Sequence, residues 1–526
     1  MRVRTLWLVV AVLAAAVLTF QGPVAVAQQP FRVVVAQERD AEDWDPPVGW
    51  QTESEWIELN AYDCLLFRNA DHSGFVPGLA TRWERINDLT TRFHLRPNVR
   101  FHDGTPFTAE DVKFHYERIK AGPRERYIVQ PQYQFFNDVI VRDPVTVDIV
   151  NDAPNTLMMD LMSQTGCGIV SRSYFQRVSR DVLHRAPMGT GPYRLKEWVK
   201  GERVVLEANA QYWGGKPDVD EFVFRVIPEP STRVAELLTG GVDITYNLVP
   251  QEEARIRARP NLRALWAVND RGWMMFPRIR PNERYKGQPE LDRKFATEDA
   301  RIREAVELAI DKYKLMSLFQ PGGAAFRSRL FSPTPEANPD LWGRKANLFN
   351  PDRARQLLAE ARYNAASQKL VMHAHDVYPS ADMARAIAQM LRQVGFNIDL
   401  RILDLNTFNG QVYFPRRTQE LILLQLGGNT KPFFGLFSFL SAQALGPSGY
   451  GGSTRQIDNL INCAFQDVRD NARRINCYHR ANQVIADERF VIGLLQTQQL
   501  WGINSRLRYT PRIDNHIFGV DFKRAQ

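Results

Sequence analysis

The stretch from Gly78 to Arg118, GLATRWERINDLTTRFHLRPNVRFHDGTPFTAEDVKFHYER, leaves its backbone little freedom and constrains whatever packs around it. Arg92–Arg96 alternates polar and apolar residues, with Phe93 and Leu95 on one face, which predicts a half-buried strand. Asp103-Gly104 predicts a turn, because glycine tolerates positive φ and aspartate bonds its own backbone. Thr108 stands as the N-cap of a helix whose first turn carries Glu110 and Asp111, where the helix dipole favours negative charge. Val112, His115, Tyr116 and Ile119 recur on one helical face, so the unit is a strand, a turn and a capped helix with apolar faces to bury.

The chain around this unit has 526 residues, more than one core usually organises, which predicts two or more domains. Residues 1–27 have the layout of an export leader: Arg2 and Arg4, the apolar run Leu6–Phe20, then Ala25-Val26-Ala27 at the cleavage positions. That run is shorter than the roughly 20 residues a spanning helix needs. The predicted cut follows Ala27, with no cysteine nearby to carry a lipid, so an exported, soluble, periplasmic protein is expected. The formal charge of +8 falls to +6 without the two leader arginines, and the remaining basic residues are scattered, so no nucleic-acid partner is expected.

The four cysteines, Cys64, Cys167, Cys463 and Cys477, contain no C-x-x-C pair, which argues against redox catalysis and a thiolate zinc site. An even count in an oxidising compartment permits disulfides, and Cys463–Cys477, close together in a predicted helix–turn–helix, is the expected pair. Gly189-Thr190-Gly191 is followed by Pro192 and Tyr193 and a strand-like continuation, unlike a nucleotide loop. His373 and His375 share one side of a predicted strand, but two imidazoles are too few for zinc, so no metal and no cofactor is expected. Neither G-x-S-x-G nor H-E-x-x-H occurs, which leaves an exported hydrolase only as a rival reading without a local signature.

Further along, Ser231 is the expected cap of a helix through Leu238, followed by a strand at Val242–Tyr246. Ala300–Phe319 reads as one amphipathic helix. Lys369–Asp376, Met383–Val394 and Phe396–Ile402 read as strand, helix and strand, a βαβ unit that makes this part α/β. Val491–Trp501 reads as a strand returning to the first part of the chain.

The wording of two segments carries more. GLATRWE with LRPNVRFHDGTPFTAEDV, and later MGTGPYRLKEW with NAQYWGGKPDVDE, resemble the signatures of the family 5 extracytoplasmic solute-binding proteins, the peptide, nickel and related receptors of ABC importers. The resemblance implies an α/β, bilobal periplasmic-binding-protein-like fold (class II, cluster C type) with an additional inserted lobe. Lobe I would comprise 28–57, 186–275 and 490–526, lobe II 58–185 and lobe III 276–489. It implies a non-enzymatic, monomeric receptor that captures a peptide or peptide-like solute between hinged lobes and delivers it to ABC permease subunits. The ligand-binding candidates are Trp44, Tyr246, Trp273, Gln425, Leu426, Gly427, Asn429, Thr430 and Trp501.

Two departures stand out. Arg362 occupies a position where the family usually has glycine. Leu426 falls near the family's tryptophan, and Asn429 near the aspartate that grips a peptide ammonium. A neutral amide forfeits roughly half of the strength of a charge-assisted bond, yet it both donates and accepts. A saccharide, opine or metal chelate therefore stays open as the alternative solute.

Overall fold

The structure is a computed structural model that describes residues 30–525 apart from 49–51, 124–126, 128, 130–132, 134–135, 280–286, 288–292, 328–333, 335, 378, 414–419, 428–435 and 437–453. The leader, Asn429 and Thr430 lie outside the described residues.

β1 (Arg32–Gln37) comes first, and β2 (Leu66–Arg68) with β3 (Phe75–Pro77) forms a short hairpin. β4 (Ala80–Arg85), β5 (Thr90–Leu95), β6 (Phe136–Asp143) and β7 (Thr146–Asn151) follow. Next come β8 (Tyr193–Val199), β9 (Arg203–Ala208), β10 (Glu221–Val226), β11 (Ile244–Leu248) and the long β12 (Leu262–Pro277). Then come β13 (Ala324–Ala325), β14 (Leu370–His375), β15 (Ile398–Leu403), β16 (Leu421–Leu426) and the long β17 (Ile492–Asn504), and a short pair, β18 (Leu507–Arg508) and β19 (Lys523–Arg524), closes the series.

Eleven of these strands form one sheet in the order β15-β14-β16-β12-β17-β11-β1-β10-β9-β8, with β13 beside β17. For description, the β1 end of that sheet is labelled lobe I and the β14 end lobe III, with Trp273, Met275, Ile492, Leu494 and Leu495 packing in the core of the β14 end. The long strands β12 and β17 run antiparallel through both, from Leu262↔Asn504 to Met275↔Ile492, and are the structural link between them. A separate antiparallel sheet, β4-β5-β7-β6, stands apart from it, and the part built on this sheet is labelled lobe II.

Lobe III is a sheet covered on both faces, and its strands are therefore almost continuously apolar. Leu421 and Leu423 pack with Met275 against the Ala300–Ala309 and Ser380–Gln393 helices, while Ile422 and Leu424 pack with Met274 and Phe276 against the Arg455–Gln466 and Asn471–Asp487 helices. β14 and β15 are parallel around the Ser380–Gln393 helix, as a βαβ unit requires. In lobe II the Asp111 carboxylate accepts from the Thr108 backbone N–H at 2.9 Å, which starts the Ala109–Ala121 helix, and Val112, His115, Tyr116 and Ile119 are buried.

Three local readings change. The Ala300–Phe319 helix is two, Ala300–Ala309 and Lys312–Phe319, because Ile310 is extended and the Asp311 carboxylate accepts from the N–H groups of Tyr313 and Lys314 to begin the second. The N-cap before the next glycine pair is Glu229, with Pro230 at N1, rather than Ser231. The strand that follows is Ile244–Leu248, two residues beyond the expected span. Arg362 has φ +54°, the left-handed backbone in which glycine costs least.

Lobe II is fastened to lobe I by buried polar groups. Disulfide Cys64–Cys167 closes its base, with Cα atoms 5.1 Å apart. Beside it, the buried Asp63 carboxylate accepts from Thr190 Oγ1 at 2.9 Å, Tyr212 OH at 3.0 Å and Trp213 Nε1 at 2.7 Å. Burial pushes its pKa up to about 6 against the pull of those bonds. Gly191 donates to Ala61 O at 3.0 Å, and a Cβ there would lie 2.5 Å from the Ala61 carbonyl carbon. Arg118 pairs with Asp45 at 2.7 Å, both side chains buried. A second disulfide joins Cys463 to Cys477, between the Arg455–Gln466 and Asn471–Asp487 helices of lobe III.

Candidate functional site

Strand direction locates the site. In lobe I, β1 is parallel to both β10 and β11, and β11 advances along β17 from Ile503 to Leu500. In lobe III, β14 is parallel to β15 and β16, and β16 advances along β12 from Pro277 to Gly272, which faces Gln496. The two parallel sets thus converge, carboxyl ends first, on the middle of the β12/β17 ribbon from opposite sides. Between Leu500 and Gln496 the ribbon leaves a floor about 13 Å long at roughly 3.3 Å per residue. Ligands of open α/β sheets bind in the crevice outside carboxyl strand ends.

The floor is polar inside otherwise apolar strands. The β12/β17 register breaks between Val268 and Gly272. Asn269, held in that break, accepts from Thr497 Oγ1 and from the Arg271 N–H, and its carbonyl accepts from Gln496 Nε2 at 3.1 Å. Thr497 Oγ1 also lies 3.1 Å from Arg271 O. Gln498 N–H donates to Gln320 Oε1 at 2.9 Å. The Asp270 N–H donates to Ile513 O at 2.8 Å, and the Ile513 N–H donates to Ala70 O at 3.1 Å, so the floor is continuous by backbone bonds with lobe II.

The walls are the strand ends. On the lobe III side, Gln425 and Leu426 are half-buried opposite Trp273 and Gly272, and Gly427 is exposed beside Arg271. His375, at the carboxyl end of β14, has its ring 6.2 Å from Trp273 and 5.4 Å from Phe408. Burial lowers its pKa, and burial with the Arg401 charge lowers that of His373 to about 4, so both imidazoles are neutral at neutral pH. Among the described residues there is no group of three or more His, Cys, Asp or Glu side chains suited to a metal ion.

On the lobe I side, Tyr246 is buried between Trp56 and Trp501, with ring centroids 5.0 and 5.2 Å away. Burial, with the charges of Glu53 and Glu38, raises its pKa well above the usual phenol value, and Arg233 and Arg271 oppose the rise. The wall therefore brings carboxylates and guanidinium groups into each other's field. Among the described residues the Tyr246 hydroxyl and the indole N–H groups of Trp56 and Trp501 meet no partner.

The sequence candidates divide accordingly. Gln425, Leu426 and Gly427 lie at a carboxyl strand end over the floor. Tyr246 lies at the end of β11 but inside the lobe I core. Trp44, Trp273 and Trp501 are at most 1% exposed: Trp273 sits in a lobe III core, Trp501 packs on Tyr509, and Trp44 meets Trp198 edge-on near the lobe I–lobe II seam. The floor residues Asn269–Arg271 and Gln496–Gln499 were missed. Their signal was a polar NDR inside LRALWAVNDRGWMMFP and a polar QTQQ inside IGLLQTQQLWGIN.

Comparison with known proteins gives a consistent picture. The sequence profile for bacterial extracellular solute-binding proteins, family 5 Middle, matches residues 74–444. The dipeptide-binding protein of Escherichia coli is 24% identical over 501 residues, covering 88% of this chain and 89% of that protein. The glutathione-binding protein GsiB of Pectobacterium atrosepticum is 25% identical over 406 residues, 77% of this chain and 74% of its own. In fold, the crystal structure of a Pseudoalteromonas dipeptide-binding protein in complex with Met-Leu superposes with a TM-score of 0.77 at 21% identity, covering 94% of this chain and all of that one.

Proposed function

Because this chain belongs to the bacterial extracellular solute-binding proteins of family 5, we propose that it is the receptor of an ABC-type importer for a peptide or peptide-like solute. It takes the solute between lobes I and III, over the β12/β17 floor, and presents it to permease subunits in the membrane. The family consists of binding proteins rather than enzymes. One observation carries the reading: two sets of parallel strands point their carboxyl ends at one another across a two-stranded link. A solute in that crevice contacts both lobes, and it stabilises the closed arrangement only by the difference in its affinity for two walls over one.

Arg271 at the floor places a positive charge beside Gly427 and the lobe III wall, suited to a solute carboxylate. Gln425, Leu426, Gly427, Asn429 and Thr430 are assigned to the lobe III wall, the last two by sequence position alone. With the leader cut after Ala27, the working form is periplasmic and monomeric. The amide of Asn429 in place of a carboxylate predicts a weak grip on a free ammonium.

Thermal-shift titration of the mature protein with dipeptides, glutathione and their N-acetylated forms tests this. A solute at 100 times its Kd adds about 2.7 kcal/mol of apparent stability. We expect peptides to shift the melt and N-acetylation to change the shift little. A response confined to saccharides, opines or metal chelates would overturn the peptide assignment within the same family. Turnover of any solute would overturn the receptor reading itself.

A further inference from the structure

Lobe II, although attached to lobe I, also touches lobe III through a turn at Asn155–Leu157. The Asn155 side chain accepts from the Leu157 N–H at 2.8 Å and so shapes a tight turn just before the short Met158–Leu161 helix. From that turn Thr156 donates twice across the gap, its N–H to Phe465 O at 2.8 Å and its hydroxyl to Ala464 O at 3.0 Å. Those carbonyls are at the C-terminal end of the Arg455–Gln466 helix, where acceptors have no intrahelical partner. Leu157 and Leu161, 1% and 0% exposed, enter the lobe III core beside Phe465. At the rim, Arg469 Nε donates to Asp88 Oδ1 at 2.8 Å in an exposed pair.

We propose that this turn is a latch, which holds lobe III against lobe II and sets how readily the solute cleft opens. The seam between lobes I and II is a buried polar lattice of Asp63, Asp45 and Arg118, whereas among the described residues the lobe II–lobe III contact consists of this turn, the exposed Arg469–Asp88 pair and the buried Arg68 in the field of Glu336. Motion about the β12/β17 ribbon therefore parts lobe II from lobe III and leaves lobes I and II as one body. Disulfide Cys463–Cys477 ties the helix that receives the latch to its neighbour and keeps the two carbonyls in place. A solute receptor with such a latch pays part of its closing free energy outside the cleft, so latch residues scale the affinity for every solute alike.

The latch matters only if the protein is the proposed receptor, but its test needs no solute, so the two can fail separately. Amide hydrogen exchange is followed on the full mature chain at Thr156, and at His102 and Gly191, whose N–H groups donate across the lobe I–lobe II seam to Gly189 O and Ala61 O. We expect Thr156 to be protected, but less than His102 and Gly191. Asp88→Arg, a surface change that places like charges together, should speed Thr156 exchange about threefold to tenfold. The charge swap Asp88→Arg/Arg469→Asp should restore it. Leu157→Ala should speed it by at least about 30-fold. An unprotected Thr156 in the native protein, a rate unmoved by either substitution, or equal acceleration at His102 and Gly191 would each overturn the latch.

Discussion

Asp63 offers a quantitative test of the joint between lobes I and II. The carboxyl is buried, three side chains donate to it, and its pKa stands at about 6 instead of 3.8 because burial outweighs those bonds. The folded state therefore binds this proton more tightly than the unfolded chain. Below pH 3.8 both forms are protonated and no stability is lost. Between 3.8 and 6 stability falls as pH rises, and above 6 the cost is constant at about 3 kcal/mol, from the 2.2-unit gap at about 1.36 kcal/mol per unit. About 2 kcal/mol of this develops between pH 4.5 and 7.5.

Asp63→Asn removes the titration but offers one acceptor oxygen to three donors, a loss of about 1–3 kcal/mol for each donor left without a partner. That loss is independent of pH. Urea unfolding of both proteins at pH 4.5 and 7.5, followed by tryptophan fluorescence, should show the variant less stable at pH 4.5. The deficit should shrink by about 2 kcal/mol at pH 7.5. A deficit that is the same at both pH values, or larger at pH 7.5, would refute the assignment of a strained carboxylate to this joint.

Gly191→Ala should lower the melting temperature and cost at least about 1–3 kcal/mol, because its Cβ meets the Ala61 backbone, which has no rotamer to yield; calorimetry reads this directly. His115 is buried and held well below the usual imidazole pKa, by burial first and the Arg118 charge second, so stability is lost as pH falls below about 6.5. In His115→Gln the acid-side fall in melting temperature between pH 7 and 5 should be smaller. Replacing Cys64 and Cys167, 103 residues apart, with serine should cost about 4.7 kcal/mol on chain-entropy grounds, against about 3 kcal/mol for Cys463 and Cys477, 14 apart; paired urea midpoints rank the two.

Much of the scaffold was legible because its signals are local. The Thr108 cap and the apolar run of β16 each announce themselves within a dozen residues, the βαβ unit within one continuous segment, and the structure has all three. The break at Ile310 was hidden because both flanking helices bury one continuous apolar stripe, and only Asp311, read as a cap, marks it. The tryptophans proposed for the cleft are packed inside the protein. Trp44, Trp273 and Trp501 combine large apolar area with one polar atom, and in this chain the area decided their place. The floor escaped notice for another reason. Asn269 and Thr497 are 228 residues apart, and neither polar interruption means anything until β12 and β17 are paired. Asp63, whose partners lie about 130–150 residues away, was invisible in the same way.

The wiring of the large sheet has a consequence for the order in which the protein can be made. β1, the first strand to emerge, sits between β10 and β11, with Arg32 opposite Glu221 and Val35 opposite Ile244, and the far side of β11 is closed by β17. Its neighbours are synthesised some two hundred residues later and the closing strand almost at the end. Contacts of such long range are slow to form, because the chain between them must first be ordered. Lobe I therefore cannot complete itself before β17 is made, whereas lobe II, a continuous segment with its own sheet, can. The strand order thus sets an order of folding, with lobe II able to form first and lobe I only once β17 arrives.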